Sequence, residues 1–109
     1  MYYVSKRIEV SYAHQLKLPY ESGCRHMHGH NGVVTVFCRA EELNEEGMVV
    51  DFHHVKRIVK EHFDHTCIND HFDFNPTAEN MARWICDNVP NCYKVTFEES
   101  NGNTATYER

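Results

Sequence analysis

Alternation of apolar and polar residues along the first fourteen positions is the feature that most constrains how this chain can fold. The even-numbered positions are mostly apolar and the odd-numbered ones mostly polar; the even set is Tyr2, Val4, Lys6, Ile8, Val10, Tyr12 and His14. A period of two is typical of a strand with one buried face, because successive side chains of an extended chain point to opposite sides. The pattern therefore predicts a half-buried strand from Tyr2 to His14, with His14 at the end of its apolar face.

A second alternating segment predicts a partner strand from about His26 to Ala40. Its even-numbered face carries His28, His30, Gly32, Val34, Val36 and Cys38. Antiparallel pairing of the two strands brings His14 opposite His28 and His30, provided that no bulge changes the parity. Strand parity thus predicts three histidines on one face of a sheet.

These three histidines have the chemistry of a metal site. His28 and His30 are two residues apart, so their imidazoles share a face and can chelate one ion, and His14 is a candidate third ligand. Neutral imidazole suits Zn²⁺, and three protein ligands leave the open position that a catalytic zinc needs. The thiol of Cys24 stands four residues before His28. We therefore predict a zinc site with a spare thiol in the same segment.

The middle of the chain predicts a short strand and two helices. Met48–Val50 is the short strand, and Asp51 is suited to cap a helix whose apolar face is Val55, Ile58, Val59, His62 and Phe63. Asn75-Pro76-Thr77 opens a second helix, with Pro76 at the permitted first position, and its apolar face is Ala78, Met81, Ala82, Ile85 and Val89.

The end of the chain predicts a hairpin, with strands Tyr93 to Glu99 and Thr104 to Glu108 joined by the turn Ser100-Asn101-Gly102-Asn103. The order of elements predicts an α+β fold, in which the two helices cover one face of an antiparallel sheet. At 109 residues the chain is expected to form a single domain spanning residues 1–109.

Composition excludes several classes of protein. The net charge is −5, which argues against nucleic-acid binding because no basic face is available. No apolar run approaches membrane-spanning length, and the first residues lack the apolar core of a signal peptide. The five cysteines are odd in number and form no Cys-x-x-Cys pair, which favours free thiols in a reducing compartment such as the cytoplasm.

Glu99 falls on the apolar side of its predicted strand. Val95, Phe97 and Glu99 share a face by parity, and an unpaired buried carboxylate is costly. Two interpretations stay open at this point. Glu99 is either a strand-end carboxylate that reaches water, or a carboxylate that awaits a ligand with hydrogen-bond donors.

The motifs together resemble one known family, and they follow its order along nearly the whole chain. They are Ala13-His14, Cys24-x3-His28-Gly29-His30-Asn31, Gly47-Met48-Val49-Val50-Asp51-Phe52, Phe63-Asp64-His65, Ile68-Asn69-Asp70, Pro76-Thr77-Ala78-Glu79-Asn80, and Glu99 eight residues before Tyr107. The chain resembles the pyruvoyl-tetrahydropterin synthase family. The three residues between Cys24 and His28 resemble most its bacterial 6-carboxy-tetrahydropterin synthase branch, which belongs to queuosine biosynthesis.

The resemblance implies a role for each matching residue. His14, His28 and His30 correspond to the zinc ligands, and Cys24 to the catalytic thiol. Asp64 and His65 correspond to a pair that assists the thiol, Glu99 to the residue that holds the pterin ring and helps in proton transfer, and Thr77 to a further substrate contact. The family also implies a barrel of sheets from several subunits, from trimer to hexamer, with active sites at subunit interfaces.

The implied reaction is zinc-dependent conversion of 7,8-dihydroneopterin triphosphate into 6-carboxy-5,6,7,8-tetrahydropterin, a lyase reaction that releases acetaldehyde and triphosphate. Lys17, Arg25 and His26 are candidates for holding the triphosphate. Two alternatives stay open: a pyruvoyl-tetrahydropterin synthase or side-chain-cleaving relative, and a non-catalytic zinc-binding scaffold. No nucleic-acid or membrane partner is expected.

Two positions depart from the family pattern. Tyr12 stands where a small residue is expected, and Gly32 stands where an aromatic residue is expected. Both lie on the histidine face, and antiparallel pairing places them close together. We expect the Tyr12 ring to cover the glycine across the two strands, as an exchange of volume.

Overall fold

The computed structural model describes all residues from Met1 to Arg109. Its elements are β1 (Tyr2–His14), β2 (His28–Ala40), α1 (Phe52–Phe63), β3 (Thr66–Cys67), α2 (Ala78–Asn88), β4 (Cys92–Ser100) and β5 (Asn103–Glu108). The strands form one sheet in the order β3-β1-β2-β4-β5. The β1–β3 pair is parallel and the other pairs are antiparallel, so the molecule is an α+β fold with a mixed sheet.

The long β1–β2 pair is built as strand parity predicts. It runs without a bulge over the whole length of both strands, and its last pairs are Tyr12 with His30 and His14 with His28. Because the register is unbroken, the even-numbered side chains of both strands share one face. That face belongs to a core of 20 buried hydrophobic residues, which also takes the apolar sides of both helices.

Side-chain caps fix where the two helices begin. The Asp51 carboxylate accepts the His53 N–H (2.8 Å) at the start of α1, as predicted. The prediction that Pro76 occupies the first position of α2 is wrong. The Thr77 hydroxyl caps this helix by accepting the Asn80 N–H (3.1 Å), so Pro76 lies before the cap and its carbonyl is free for another partner.

Met48–Val50 is not a strand, contrary to expectation. Asparagine side chains satisfy its backbone instead: Met48 N–H donates to the Asn44 side chain (2.9 Å), and the Val49 carbonyl accepts from the Asn91 side chain (2.9 Å). The third strand is the two-residue β3, which pairs with the end of β1. The start of β2 also differs from the prediction, at His28 rather than His26, because Gly23–Arg25 forms a 3-10 turn.

No helix in the protein is both long enough and apolar enough to cross a membrane.

Candidate metal centre and active site

Three histidines meet where β1 ends and β2 begins. The ring centroids of His14, His28 and His30 are 4.6 to 5.1 Å apart, and one nitrogen from each ring lies within 4.8 Å of the other two. The predicted cluster is therefore formed within one chain by the register of two adjacent strands. Three imidazole nitrogens at this spacing could hold one metal ion.

Backbone carbonyls fix the proton on two of these rings. The His14 Nδ1 lies 2.8 Å from the Pro76 carbonyl oxygen, and the His28 Nδ1 lies 2.7 Å from that of His26. A carbonyl only accepts, so each Nδ1 carries the hydrogen and each Nε2 presents a lone pair to the cluster. This is the arrangement by which metal-binding histidines are usually oriented. The Pro76 carbonyl, which lies before the helix cap, thus orients the His14 ring.

The two innermost nitrogens have no partner. The Nε2 atoms of His14 and His30 are buried and make no hydrogen bond. Burial is the main cause that lowers the pKa of both imidazoles below the usual histidine value, even though the Glu99 carboxylate nearby acts in the opposite direction. Neutral rings with orphaned lone pairs fit the binding of a divalent metal ion.

Glu99 stands against the histidine cluster on a bulge of β4. The ladder between β4 and β5 pairs Glu98 with Thr104 and then Ser100 with Asn103, so Glu99 is the extra residue. Its Oε1 lies 3.2 Å from the His14 Nε2 and 3.7 Å from the His30 Nε2. Strand parity placed Glu99 on the correct face, but its contact with the histidines was not foreseen.

Tyr12 covers Gly32, as expected. A Cβ on Gly32 would lie 3.1 Å from the Tyr12 Cε1 atom and 3.1 Å from the Glu98 carbonyl oxygen, so the ring fills the space of the missing side chain. The Tyr12 hydroxyl donates to the Glu99 Oε1 at 3.4 Å. Burial, and secondarily the charge of Glu99, raise the pKa of this phenol, which therefore stays protonated.

Asp64 and His65 follow α1 and lie away from the three histidines. Asp64 accepts the Ser11 N–H (2.8 Å) and pairs with Lys60 (3.2 Å), while the His65 Nε2 lies 3.5 Å from the same carboxylate. Both residues line a cavity of about 320 Å³ with Ser11 and Asn31, which belong to the face of the sheet opposite the histidines. No hydrogen bond or ion pair joins this pair to the histidine cluster.

The Cys24 thiol is exposed on the 3-10 turn before β2. Its neighbour Arg25 pairs with Glu21 at 2.8 Å. Lys17 and Arg25 line a separate cavity of about 470 Å³ beside this turn. The structure therefore brings together the three histidines and Glu99, whereas no hydrogen bond or ion pair joins the Cys24 thiol or the Asp64–His65 pair to them.

Comparison with known proteins decides the family. A family model described as 6-pyruvoyl tetrahydropterin synthase matches residues 3–109. The chain belongs to the 6-pyruvoyl tetrahydropterin synthase family. It is therefore an enzyme of the tetrahydropterin synthases, and the resemblance read from the motifs is confirmed.

Relatives and solved structures agree with this membership. The chain is 31% identical to the 6-carboxy-5,6,7,8-tetrahydropterin synthase of Bacillus subtilis, with 95% of this chain and 83% of the relative covered. It is 34% identical to the enzyme of the same name from Synechocystis, with 98% and 93% covered. Its fold matches the structure of Caenorhabditis elegans 6-pyruvoyl tetrahydropterin synthase with a TM-score of 0.78 at 28% identity, over 99% of this chain and 95% of that one.

One feature of this tetrahydropterin synthase was missed in the sequence. A cavity of about 370 Å³ opens between the start of α2 and the β4–β5 hairpin, and both Glu79 and Glu99 line it. Its volume suits a small ligand. Sequence alone could not reveal it, because its walls come from segments about twenty residues apart that meet only in the folded chain.

Proposed function

We propose that this enzyme converts 7,8-dihydroneopterin triphosphate and one water molecule into 6-carboxy-5,6,7,8-tetrahydropterin, acetaldehyde and triphosphate, with Zn²⁺ held by His14, His28 and His30. The observation that carries the proposal is Glu99, whose carboxylate touches the histidine cluster and lines the neighbouring cavity. One residue thus links a metal site to a space for a small molecule. Two relatives that match most of the chain are named for this reaction's product.

In this proposal the pterin ring occupies the cavity beside Glu99. The amino-pyrimidinone edge of a pterin presents two N–H donors, and a carboxylate accepts both in a bidentate pair. Thr77, one residue before Ala78 in the cavity wall, is the second substrate contact. The ring then directs its side chain toward the histidines, where bound zinc supplies a Lewis acid for the side-chain oxygens.

Cys24, Asp64 and His65 move the protons, with Glu99 assisting. A thiol has a pKa between those of a carboxylic acid and an amine, which suits proton transfer at the side-chain carbons. Burial would raise the pKa of Asp64, but the Ser11 N–H and Lys60 outweigh it and keep the pKa below its usual value. The ionised carboxylate can then orient the His65 imidazole, whose Nε2 lies 3.5 Å from it.

The proposal includes a homo-oligomer in the cytoplasm, from trimer to hexamer. Within the chain, no hydrogen bond or ion pair joins Cys24 to Asp64 or His65, and the sheet ends in two edge strands, β5 and most of β1. Pairing of such edges between copies satisfies their free backbone groups. An interface between subunits would also let the thiol of one copy meet the His65 of another.

Product analysis tests the proposed reaction. The zinc-loaded protein is incubated with 7,8-dihydroneopterin triphosphate, and acetaldehyde and the 6-carboxy product are measured. Cys24→Ala should abolish turnover and leave the zinc content unchanged, whereas Cys67→Ala, a matched thiol control, should keep turnover. Bound zinc with no turnover of the wild-type protein would support a non-catalytic scaffold, and loss of zinc in Cys24→Ala would make the thiol a ligand.

The second candidate is a pyruvoyl-tetrahydropterin synthase. The family description and the 28% identity to the Caenorhabditis elegans enzyme favour it. The same incubation separates the two, because the pyruvoyl product keeps all the side-chain carbons and no acetaldehyde forms.

A further inference from the structure

Glu99 occupies an electrostatically unusual position. The His14 Nε2 carries a lone pair, because its Nδ1 hydrogen points to the Pro76 carbonyl, and it faces the Glu99 Oε1 at 3.2 Å. Two acceptors this close in a buried site repel each other, unless a cation lies between them. The His30 Nε2, also buried and unpartnered, faces the same oxygen at 3.7 Å.

Two distances from Glu99, to His14 and to His30, are close to those between ligands of one metal ion. Zinc binds nitrogen and carboxylate oxygen at about 2.0–2.2 Å, and tetrahedral angles then separate two ligand atoms by about 3.3 Å. The two observed separations, 3.2 and 3.7 Å, lie around this value. The Glu99 oxygen thus stands at ligand spacing from His14 and His30, whereas His28 joins these two histidines in the cluster but is not within the same reach of Glu99.

Tyr12 holds this oxygen in place. Its hydroxyl donates to Oε1 at 3.4 Å, and its ring is buried beside Phe97, with the ring centroids 5.7 Å apart. The ring also fills the space above Gly32, so it has one well-packed position. A partner that cannot move limits the positions of the carboxylate.

We propose that Glu99 is the fourth, displaceable ligand of the metal ion in the substrate-free enzyme, and that Tyr12 positions it. The inference rests on the proposed function for one point only, which is the identity of the molecule that displaces Glu99 from the metal ion. The pterin ring offers the carboxylate two N–H donors in the cavity, Glu99 turns to accept them, and the fourth position becomes free. Metal coordination and pterin binding are thereby coupled through one side chain.

Metal affinity tests the first half of the proposal. Zinc affinity is measured by competition with a chromophoric chelator for the wild-type protein and for Glu99→Gln, Tyr12→Phe and Glu98→Gln. Glu98→Gln is the matched control. It removes the same charge as Glu99→Gln, but one residue away and on the opposite face of the sheet. Glu99→Gln should weaken zinc binding by about tenfold or more, and Tyr12→Phe by about threefold. Glu98→Gln should leave the affinity unchanged.

Cobalt spectroscopy tests the second half. Co²⁺ replaces zinc, and its visible absorption reports coordination number and ligands. Unsubstituted pterin, which has no side-chain oxygen to bind the metal, is then added. The spectrum of the wild-type protein should change as Glu99 leaves the ion, and the spectrum of Glu99→Gln should not respond.

The outcomes separate this inference from the proposed function. Equal zinc affinities and equal cobalt spectra for Glu99→Gln and Glu98→Gln would overturn the inference, even if acetaldehyde is released normally. A tenfold loss confined to Glu99→Gln would sustain the ligand role, even if dihydroneopterin triphosphate is not turned over. A cobalt spectrum that pterin leaves unchanged in the wild-type protein would overturn the displacement step.

Discussion

Single residues at the histidine site show how one departure from a family pattern is balanced by another. Tyr12 brings a large ring into a position where a small residue is expected, and Gly32 on the neighbouring strand provides its space. The Tyr12 hydroxyl then reaches Glu99, a contact that a small residue could not make. The exchange conserves packing volume and adds a polar contact to the site.

Adding one methyl group at Gly32 should therefore be costly. In Gly32→Ala the new Cβ lies 3.1 Å from both the Tyr12 ring and the Glu98 backbone, and we expect a loss of about 1–3 kcal/mol in the free energy of unfolding. Gly29 on the same strand is the control, because its Cβ would meet its nearest neighbour at 3.4 Å, an ordinary contact. Denaturant unfolding of the metal-free protein measures the stabilities of Gly32→Ala and Gly29→Ala. Equal stabilities would show that the packing of the Tyr12 ring does not require a glycine at position 32.

Among the elements, β1, β2 and the closing hairpin could be predicted because their signals are local. Alternation sets the faces of β1 and β2, and the turn residues at Asn101 and Gly102 set the hairpin. The two-residue β3 has too few residues for a period, and Met48–Val50 resembles a strand only because its buried valines are apolar. The bulge at Glu99 depends on pairing with β5, so it becomes visible only in the folded chain.

The connection between α1 and β3 is a strained element at the proposed catalytic pair. His65 has a φ of 53°, in the left-handed region that favours glycine, and its N–H donates to the Ser11 carbonyl at 2.6 Å. His65→Gly and His65→Ala both remove the imidazole and should both abolish turnover. The glycine variant should be the more stable by about 1 kcal/mol, because only glycine adopts this φ without steric cost.

Lys56, which is exposed within α1, provides the control. There the stability difference between the glycine and alanine variants should have the opposite sign. In a helix interior Lys56→Gly should be less stable than Lys56→Ala by about 1 kcal/mol. Thermal or denaturant unfolding of the four variants measures both differences. If glycine is the worse residue at position 65 as well, the left-handed conformation is not a constraint on the fold.

Asp64 lies in the same connection, and its charge should make the free energy of unfolding depend on pH. Its pKa is lowered in the folded protein, since the Ser11 N–H and Lys60 outweigh the effect of burial. The ionised carboxylate therefore stabilises the fold above its unfolded pKa near 4, and this stabilisation is lost as the pH falls toward the lowered folded pKa.

Asp64→Asn should accordingly cost about 1 kcal/mol at pH 7, and its difference from the wild-type protein should shrink on acidification from pH 5 to pH 3. Asp73→Asn, at an exposed carboxylate without an ion pair, is the control and should differ little at any of these pH values. Urea unfolding at each pH measures both variants. A difference for Asp64→Asn that stays constant between pH 5 and pH 3 would contradict the role given to its charge.

At the scale of the whole molecule, the residues proposed for the active site lie in separate places on one chain. The three histidines and Glu99 lie on the helix-covered face of the sheet, while Asp64 and His65 line a cavity on the other face. In the homo-oligomer that we propose, a site that uses both groups takes one of them from another copy. Subunit mixing tests this directly, because two inactive variants then complement each other in a mixed oligomer.

Cys24→Ala and His65→Ala are each expected to be inactive. When the two are unfolded together, refolded and allowed to assemble, a site that takes Cys24 from one copy and His65 from a neighbour will be intact in about one case in four under random assembly. We expect close to a quarter of the wild-type rate of acetaldehyde release. Cys24→Ala mixed with the Cys24→Ala/His65→Ala double variant should stay inactive, since no intact thiol is present. If native mass spectrometry shows mixed oligomers of the two single variants that remain inactive, thiol and histidine act within the same chain.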